Sequence, residues 1–228
     1  MISLNRPLRS RLSLEHEGQL RSEPMSWRQR ADHRLYLGVK RLFDIAGALV
    51  GCVVVLVLCP LIWLANRLTS PGDLFYWQER VGLHGRPFRM VKFRSMIMSA
   101  EADTGPIWAA DNDCRITPVG RILRKSRLDE LPQVWNVLRG EMSLIGPRPE
   151  RPEFVASLME TIPTFQARHA LKPGITGWAQ VNYRYVASVD DTLVKLQYDL
   201  YYIEHRCLSL DLLILAKTVL VMASLKGM

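Results

Sequence analysis

The stretch IAGALVGCVVVLVLCPLIWLA, residues 45–65, contains no charged residue and decides how this chain can fold. A helix needs about 20 apolar residues to cross the hydrocarbon core of a bilayer, so this stretch is just long enough. The rest of the chain is far more polar, because all 228 residues average a mean hydropathy of +0.01 and carry a formal net charge of +8. One apolar segment within a basic chain argues against a polytopic transporter, a disordered protein and a disulfide scaffold.

Two features of the apolar stretch favour a re-entrant segment over a simple crossing. Pro60 lies inside the stretch, and an interior proline removes a backbone donor and kinks or breaks a helix. Basic residues flank both ends, with Lys40 and Arg41 before the stretch and Arg67 after it, which favours two cytoplasmic ends. We therefore predict that residues 40–70 form a membrane helix broken at Cys59–Pro60. A single crossing and a buried core helix remain the alternatives.

The regions on either side of this segment differ in character. Residues 1–39 are polar and basic without apolar periodicity, and we expect a flexible tail that anionic lipid heads attract. Residues 71–228 are expected to form one compact cytoplasmic domain. Within it, the apolar residues 210–223 are too short to span a bilayer and indicate either an interfacial helix or a core helix. Residues 75–96 are predicted to form a short hairpin, Pro118 to begin a short helix, and residues 153–169 to form another helix. The predicted fold class is α+β, mainly helical, with a small sheet.

The composition of the charged residues hints at phosphate ligands. Of the 30 basic residues, 23 are arginines, whose planar guanidinium matches phosphate and carboxylate oxygens. The four cysteines and five histidines show no metal-ligand spacing, which argues against a structural zinc site and fits a reducing compartment.

Asp129 and Glu130 are adjacent carboxylates directly before a predicted helix that begins at Pro132. The free N–H groups at a helix start favour negative charge, and an ionised aspartate is a known nucleophile toward phosphoryl groups. The pair is therefore a candidate for a nucleophile beside a metal ligand. Ser126 three residues before Asp129 also matches a helix capping box, and this purely structural interpretation stays open from spacing alone.

Three further motifs carry charge at positions that chemistry could use. Arg148 stands between Pro147 and Pro149, and two prolines fix the backbone around an arginine that could clamp a phosphate. Lys92 and Arg94 lie on one face of a predicted strand. The triplet at 111–113, Asp-Asn-Asp, matches a metal-binding pattern of glycosyltransferases, but short acidic patterns arise often by chance and we interpret it as a loop.

Together these stretches resemble the bacterial sugar transferases, the monotopic phosphoglycosyl transferases. The resemblance covers residues 40–225 and rests on four stretches in matching order and spacing. They are KFRSM (92–96), RLDELPQVWNVLRGEMSLIGPRPE (127–150), KPGITGWAQVN (172–182) and YDLYYIEH (198–205). The resemblance implies that residues 71–228 are the catalytic domain and that Pro60 marks the membrane break. The family pattern there is Ser-Pro, whereas this chain has Cys59-Pro60.

The resemblance also implies roles for single residues. Asp129 is expected to become covalently phosphoglycosylated, and Glu130 to be associated with a Mg²⁺ site. Arg148, with Lys92 and Arg94, is expected to contact the nucleotide or phosphate. Asp199 in YDLYY matches a functionally important acid that lies near the metal or orients the site, and a helix-face acid paired to an arginine is its structural alternative.

The implied reaction transfers a sugar-1-phosphate from a UDP-sugar to undecaprenyl (polyprenyl) phosphate and releases UMP. This would be the first membrane step of exopolysaccharide or O-antigen assembly, at the cytoplasmic face of a bacterial inner membrane. The expected partners are the UDP-sugar, the polyprenyl phosphate and membrane lipids, without nucleic acid; a homo-oligomer stays open. A non-enzymatic basic module that binds anionic lipid or nucleic acid is the alternative, and the sequence does not identify the sugar.

Overall fold

The computed structural model describes residues 27–102, 105, 107, 113–183 and 189–223. The chain divides into two compact units, residues 1–39 and residues 40–228. The described part of the first unit is the start of helix α1. The second unit contains the rest of α1 and every other described element.

Helix α1 runs from Trp27 to Thr69, with Pro60 in its interior. Helical structure therefore continues through Cys59–Pro60, and the predicted break into two helical halves is not confirmed. Its start at Trp27 also lies within residues 1–39, which the sequence predicted to be a flexible tail. Residues His33–Thr69 are long and apolar enough to cross a membrane, with a mean hydropathy of 2.9, and only 11% of the most apolar window is buried. An apolar helix that is this exposed indicates association with a membrane.

One narrow face of α1 packs on the rest of the second unit. The buried carboxylate of Asp44 accepts hydrogen bonds from the Ser143 hydroxyl and the Leu144 amide, both at 2.9 Å. Arg41 donates to the carbonyls of Val137 and Leu138, at 2.7 and 3.0 Å, where a following helix ends and leaves its carbonyls free. These contacts fasten α1 to residues 137–144, which follow Asp129 and Glu130, here called the dyad, in the chain.

An antiparallel hairpin follows α1, as the sequence predicts. Strand β1 spans Phe75–Val81 and strand β2 spans Pro87–Phe93, with Phe75 opposite Phe93. The turn contains Gly85 at a φ of 77°, in the left-handed region that glycine adopts without strain. Met90, Val91 and Phe93 of β2 are buried, so the hairpin is anchored through its second strand.

The next segment contains the dyad and a second, smaller sheet. Helix α2 spans Pro118–Lys125, a 3₁₀ segment spans Leu128–Gln133, and helix α3 spans Val134–Leu138. Strand β3, Ser143–Ile145, pairs in parallel with strand β4, Gly174–Thr176. The small sheet that the sequence predicts is thus two separate two-stranded sheets within the described residues.

The remaining helices surround these strands. Helix α4 spans Pro152–Thr161 and a 3₁₀ segment spans Pro163–Ala170. The sequence predicted one helix over 153–169, but Ile162 precedes a proline and is forced out of the helical region, to φ −128° and ψ 86°. Helix α5 spans Trp178–Asn182, α6 spans Val189–His205, and α7 spans Leu208–Ala223.

Helix α7 has a buried side and an apolar exposed side. Asp211 and Ile214 are buried, whereas Leu212, Val219 and Leu220 are exposed. The exposed apolar face of α7 fits an interfacial helix, and its buried face packs as a core helix does.

Candidate active site

The dyad lies in a strained connection between α2 and α3. The Ser126 hydroxyl donates to the carbonyls of Ile122 and Leu123 at the end of α2, at 2.8 and 3.1 Å, so Ser126 ends one helix and does not cap the next. The capping-box interpretation is therefore wrong. Arg127 then adopts the left-handed conformation, with a φ of 58°, which is uncommon outside glycine. This turn places Asp129 and Glu130 in the first turn of the 3₁₀ segment, where both are buried.

Glu130 is held by two cations. Its carboxylate pairs with Lys92 at 3.3 Å and accepts two hydrogen bonds from the Arg148 guanidinium, one of them at 3.0 Å. Burial alone would raise the pKa of Glu130, but the positive charges of Arg148 and Lys92 outweigh it and hold the pKa well below 4.5. Glu130 is therefore ionised throughout the physiological range and anchors both cations beside Asp129.

Asp129 has a different environment. Burial, together with the negative charge of Glu130, raises the pKa of Asp129 to about 6, although Lys92 and Arg124 oppose this shift. No donor hydrogen-bonds to its carboxylate within the described ranges of the chain. The two adjacent carboxylates thus have different environments: Glu130 is held in ion pairs with two cations, whereas Asp129 has a raised pKa.

Asp129 lines a cavity of about 650 Å³. Basic side chains outnumber acidic ones in its wall, and the basic ones include Arg80, Lys92, Arg124, Arg148, Arg168 and Lys195. Asp129 lies in the same wall. A cleft lined mainly by cations concentrates anionic ligands, and arginine forks suit phosphate oxygens. The cavity is therefore of the kind that binds a polyphosphate ligand next to a carboxylate.

Arg148 is presented by residues 146–150, here called the arginine loop. The Pro147 carbonyl accepts from the Gly174 amide at 2.9 Å, and the Pro149 carbonyl accepts from Arg80 at 3.1 Å. A side chain at Gly174 would place its Cβ 2.0 Å from the Gly146 nitrogen, so the loop and β4 approach as closely as backbones can. Both prolines fix the backbone on either side of Arg148, which is the arrangement that the sequence suggested.

Lys92 and Arg94, predicted together as phosphate contacts, have different partners. Lys92 pairs with Glu130 and lies in the wall beside Asp129. The Arg94 guanidinium donates to the carbonyls of Ser70 and Asp73, in the link between α1 and β1. Its contacts therefore have a structural purpose that needs no phosphate, and Lys92 is the better supported of the two.

Asp199 is buried in an ion pair with Arg168, at 2.7 Å, as the structural alternative for this residue anticipated. Arg168 also donates to the Arg148 carbonyl at 2.8 Å. Glu150, at the end of the arginine loop, pairs with Lys195 at 3.2 Å, and its pKa is lowered to about 2 because Lys195 and Arg168 outweigh its burial. The sequence did not predict Arg168, Lys195 or Glu150 as site residues; only Glu150 lies within a quoted motif, and no spacing links it to α6.

The triplet at 111–113 does not supply a metal site that the structure can describe. Asp111 and Asn112 lie outside the described residues. Asp113 is bound by its neighbour Arg115 at 2.6 Å, and hydrogen bonds from Arg115 lower its pKa to about 2. Asp113 therefore has an ion-pair partner of its own, in keeping with the loop interpretation.

The residues of the dyad suit a Mg²⁺ ion only if the substrate completes its coordination. Across the described ranges, no three His, Cys, Asp or Glu side chains are grouped as a metal site. Mg²⁺ in enzymes that act on phosphates is commonly held by one or two carboxylates together with substrate oxygens. The free carboxylate of Asp129, next to Glu130, fits that limited protein contribution.

Comparison with known proteins identifies the family of this chain. The sequence model of the family described as Bacterial sugar transferase matches residues 35–225. The chain is 45% identical, over 81% of its length, to the UDP-N-acetylgalactosamine-undecaprenyl-phosphate N-acetylgalactosaminephosphotransferase of Aeromonas hydrophila. It is 41% identical, over 80% of its length, to the UDP-glucose:undecaprenyl-phosphate glucose-1-phosphate transferase of Escherichia coli (strain K12). An uncharacterized sugar transferase of Bacillus subtilis (strain 168) is 42% identical over 79% of the chain.

The fold and site thus combine an exposed apolar helix with a cavity whose charged lining is mainly basic. The chain belongs to the bacterial sugar transferase family. It spans 44% of the Aeromonas relative, 40% of the Escherichia relative and 85% of the Bacillus relative.

Proposed function

We propose that this protein transfers a sugar-1-phosphate from a UDP-sugar to undecaprenyl phosphate, with release of UMP and a covalent intermediate on Asp129. The observation that carries the proposal is the division of roles within the dyad. Asp129 is buried and lies in the wall of a cationic cavity without a hydrogen-bond donor among the described residues, while Glu130 holds Lys92 and Arg148 beside it. Relatives that carry out such a transfer on N-acetylgalactosamine and glucose donors support the reaction class.

The first step forms the intermediate. An Asp129 carboxylate oxygen attacks the sugar-linked phosphorus, and the bond from that phosphorus to the bridging oxygen breaks as UMP leaves with the electron pair. With a pKa of about 6, Asp129 is mostly ionised at neutral pH, so no separate base is needed. Arg148 and Lys92 neutralise the charge that builds up on the phosphate oxygens, which is the main contribution a protein makes to phosphoryl transfer.

The second step releases the product. A phosphate oxygen of undecaprenyl phosphate attacks the phosphorus held on Asp129, and the Asp129 carboxylate leaves. The product is a diphosphate-linked lipid sugar, and the free enzyme is regenerated without net proton transfer. The dyad, Asp129 and Glu130, would hold Mg²⁺ together with the diphosphate of the donor. When bound, the ion would supply charge neutralisation to the UMP that leaves in the first step.

The membrane arrangement belongs to the same proposal. Undecaprenyl phosphate carries its phosphate at the membrane surface, so a catalytic unit fastened to α1 would work at the cytoplasmic face of the bacterial inner membrane. We propose that α1 enters and leaves by this face, bending at Pro60 without losing its helical hydrogen bonds elsewhere.

Single cysteines at position 2 and near position 75 test this topology in intact cells after the four native cysteines are replaced. Protection of both from an external reagent is expected, and labelling of only one would establish a crossing.

The reaction is tested with purified protein, Mg²⁺, undecaprenyl phosphate and a panel of UDP-sugars. UMP release that depends on both the acceptor and one or more donors is expected. Asp129→Asn should abolish transfer while binding to vesicles is retained, and normal turnover by this variant would refute the covalent route. Release of UDP instead of UMP would indicate an ordinary glycosyltransferase.

A further inference from the structure

Arg168, in the cavity wall, contacts the arginine loop. Its Nη2 donates at once to the Asp199 carboxylate, at 2.7 Å, and to the Arg148 carbonyl, at 2.8 Å. The side chains of Arg168 and Asp199 are only 3% and 2% exposed. The same Arg148 whose backbone is held in this way places its guanidinium on Glu130. A continuous series of bonds therefore links Asp199 on α6 to the dyad.

The carboxylate of Asp199 is part of this series and also lies in the cavity wall. Its Oδ2 accepts from Arg168, and its pKa is raised because burial outweighs the attraction of Arg168 and Lys195. A deeply buried carboxylate with a cation at 2.7 Å has its charge already compensated. The contacts of Asp199 are thus more typical of a carboxylate that orients an arginine than of a metal ligand.

Glu150 completes the support on the other side of the loop. It pairs with Lys195 at 3.2 Å, and it lies 3.8 Å from both Arg80 and Arg168. Arg80 in turn donates to the Pro149 carbonyl. Arg80 on β1 and Arg168 on the 3₁₀ segment 163–170 therefore each bind one backbone carbonyl of the arginine loop. Both also approach the carboxylate of Glu150.

We infer that Arg168 is a positioning residue for Arg148 and that Asp199 acts on the reaction through Arg168 and not as a metal ligand. The inference rests on the proposed function, since it assigns Arg148 to the donor diphosphate. Lysine keeps the charge at position 168, but its ammonium ends one bond short of the position of Arg168 Nη2, so it cannot reach Asp199 and the Arg148 carbonyl from the same place. Arg148 would then shift relative to Glu130 and the diphosphate, and a displacement of about 1 Å can lower a rate about 100-fold.

The test is a cycle of variants measured by UMP release. Arg168→Lys alone should lower kcat/KM about 10-fold to 100-fold, and the same change in an Arg148→Ala background should cause little further loss. Asp199→Asn should likewise add little to Arg168→Lys. Independent, multiplying losses in either pair would overturn the inference, because residues that act through one another are not additive. Arg139→Ala is the matched control, since Arg139 is exposed and pairs only at the surface with Glu141 at 3.3 Å.

A second readout separates positioning from metal binding. The Mg²⁺ concentration for half-maximal activity should be the same for wild type and Asp199→Asn, and a rise of about tenfold or more would make Asp199 a metal ligand and overturn the inference.

Calorimetric binding of UDP with Mg²⁺ gives a measurement that needs no turnover. Arg168→Lys should weaken UDP binding only when Arg148 is present. If wild type releases no UMP, the proposed function fails, while the binding cycle still decides whether Arg168 acts through Arg148. Circular dichroism and thermal unfolding confirm that each variant is folded.

Discussion

Replacing Asp129 by asparagine should abolish transfer and at the same time stabilise the folded protein at neutral pH. The reason is the pKa of Asp129, which burial and Glu130 raise from 3.8 to about 6. Because the folded pKa is raised, the contribution of Asp129 to stability is fully present below pH 4 and is lost as the pH rises through about 6. Above that pH the ionised carboxylate opposes folding, relative to an aspartate in water.

The size of the effect follows from the same values. The difference between 3.8 and about 6, at about 1.4 kcal/mol per pKa unit, is about 3 kcal/mol in the free energy of unfolding. The asparagine amide must also leave water, so we expect a gain of about 1–3 kcal/mol. For a chain of this size each kcal/mol corresponds to about 2–4 °C in Tm, which gives a rise of about 2–12 °C.

The assay is thermal unfolding of both proteins in the same detergent at a series of pH values from 4 to 8. The Tm difference should be close to zero at pH 4, grow between pH 4 and 6, and level off above. Asp190→Asn, which removes an exposed carboxylate from the first turn of α6, is the control and should show no such pH-dependent gain. An Asp129→Asn protein that is no more stable than wild type at pH 8 would refute the reasoning about this site.

Three other substitutions test the site and its support. Glu130→Gln removes a negative charge that raises the pKa of Asp129. The acid limb of the pH profile of kcat/KM, expected near pH 6 for wild type, should therefore move to lower pH. An acid limb at the same or a higher pH would argue against the coupling. Arg148→Lys loses a two-bond contact to Glu130, and the loss of a charged hydrogen bond worth about 1.5–3 kcal/mol should lower kcat/KM about 10-fold to 150-fold in the UMP assay. Gly174→Ala would bring a Cβ to 2.0 Å from a backbone nitrogen of the arginine loop, so both Tm and UMP release should fall, whereas Gly38→Ala, which meets nothing within 4 Å, should leave both unchanged.

Local sequence signals predicted much of the secondary structure. Glycines and alternating apolar residues predicted the hairpin of β1 and β2, and Pro118 marked the start of α2. Pro163 ended α4 earlier than its apolar spacing suggested, because the residue before a proline avoids the helical region. The break at Pro60 is not confirmed, because helical structure continues through this proline, and apolar helices can contain a proline when other groups satisfy the freed backbone carbonyl.

The site was predictable only where its residues are close together in the sequence. Asp129 and Glu130 are neighbours, and Arg148 lies in a proline motif, so all three could be named in advance. Arg168 carries no motif, and its partners Arg148 and Asp199 are 20 and 31 residues away in the chain. The packing of α6 against the 3₁₀ segment 163–170 brings them together, and one sequence contains no record of that packing. Arg94, a cation in a motif, donates to backbone carbonyls and also lies in the cavity wall, so its phosphate contact stays a prediction.

The central claim is that Asp129 carries the sugar-phosphate during transfer. Its most direct test is the intact mass of the protein after incubation with Mg²⁺ and an accepted UDP-sugar, without undecaprenyl phosphate, followed by peptide mapping. We predict one added sugar-phosphate on the peptide that contains Asp129, no adduct on Asp129→Asn, and disappearance of the adduct when undecaprenyl phosphate is added. UMP release by wild type without any adduct, or an adduct on a different residue, would contradict the claim.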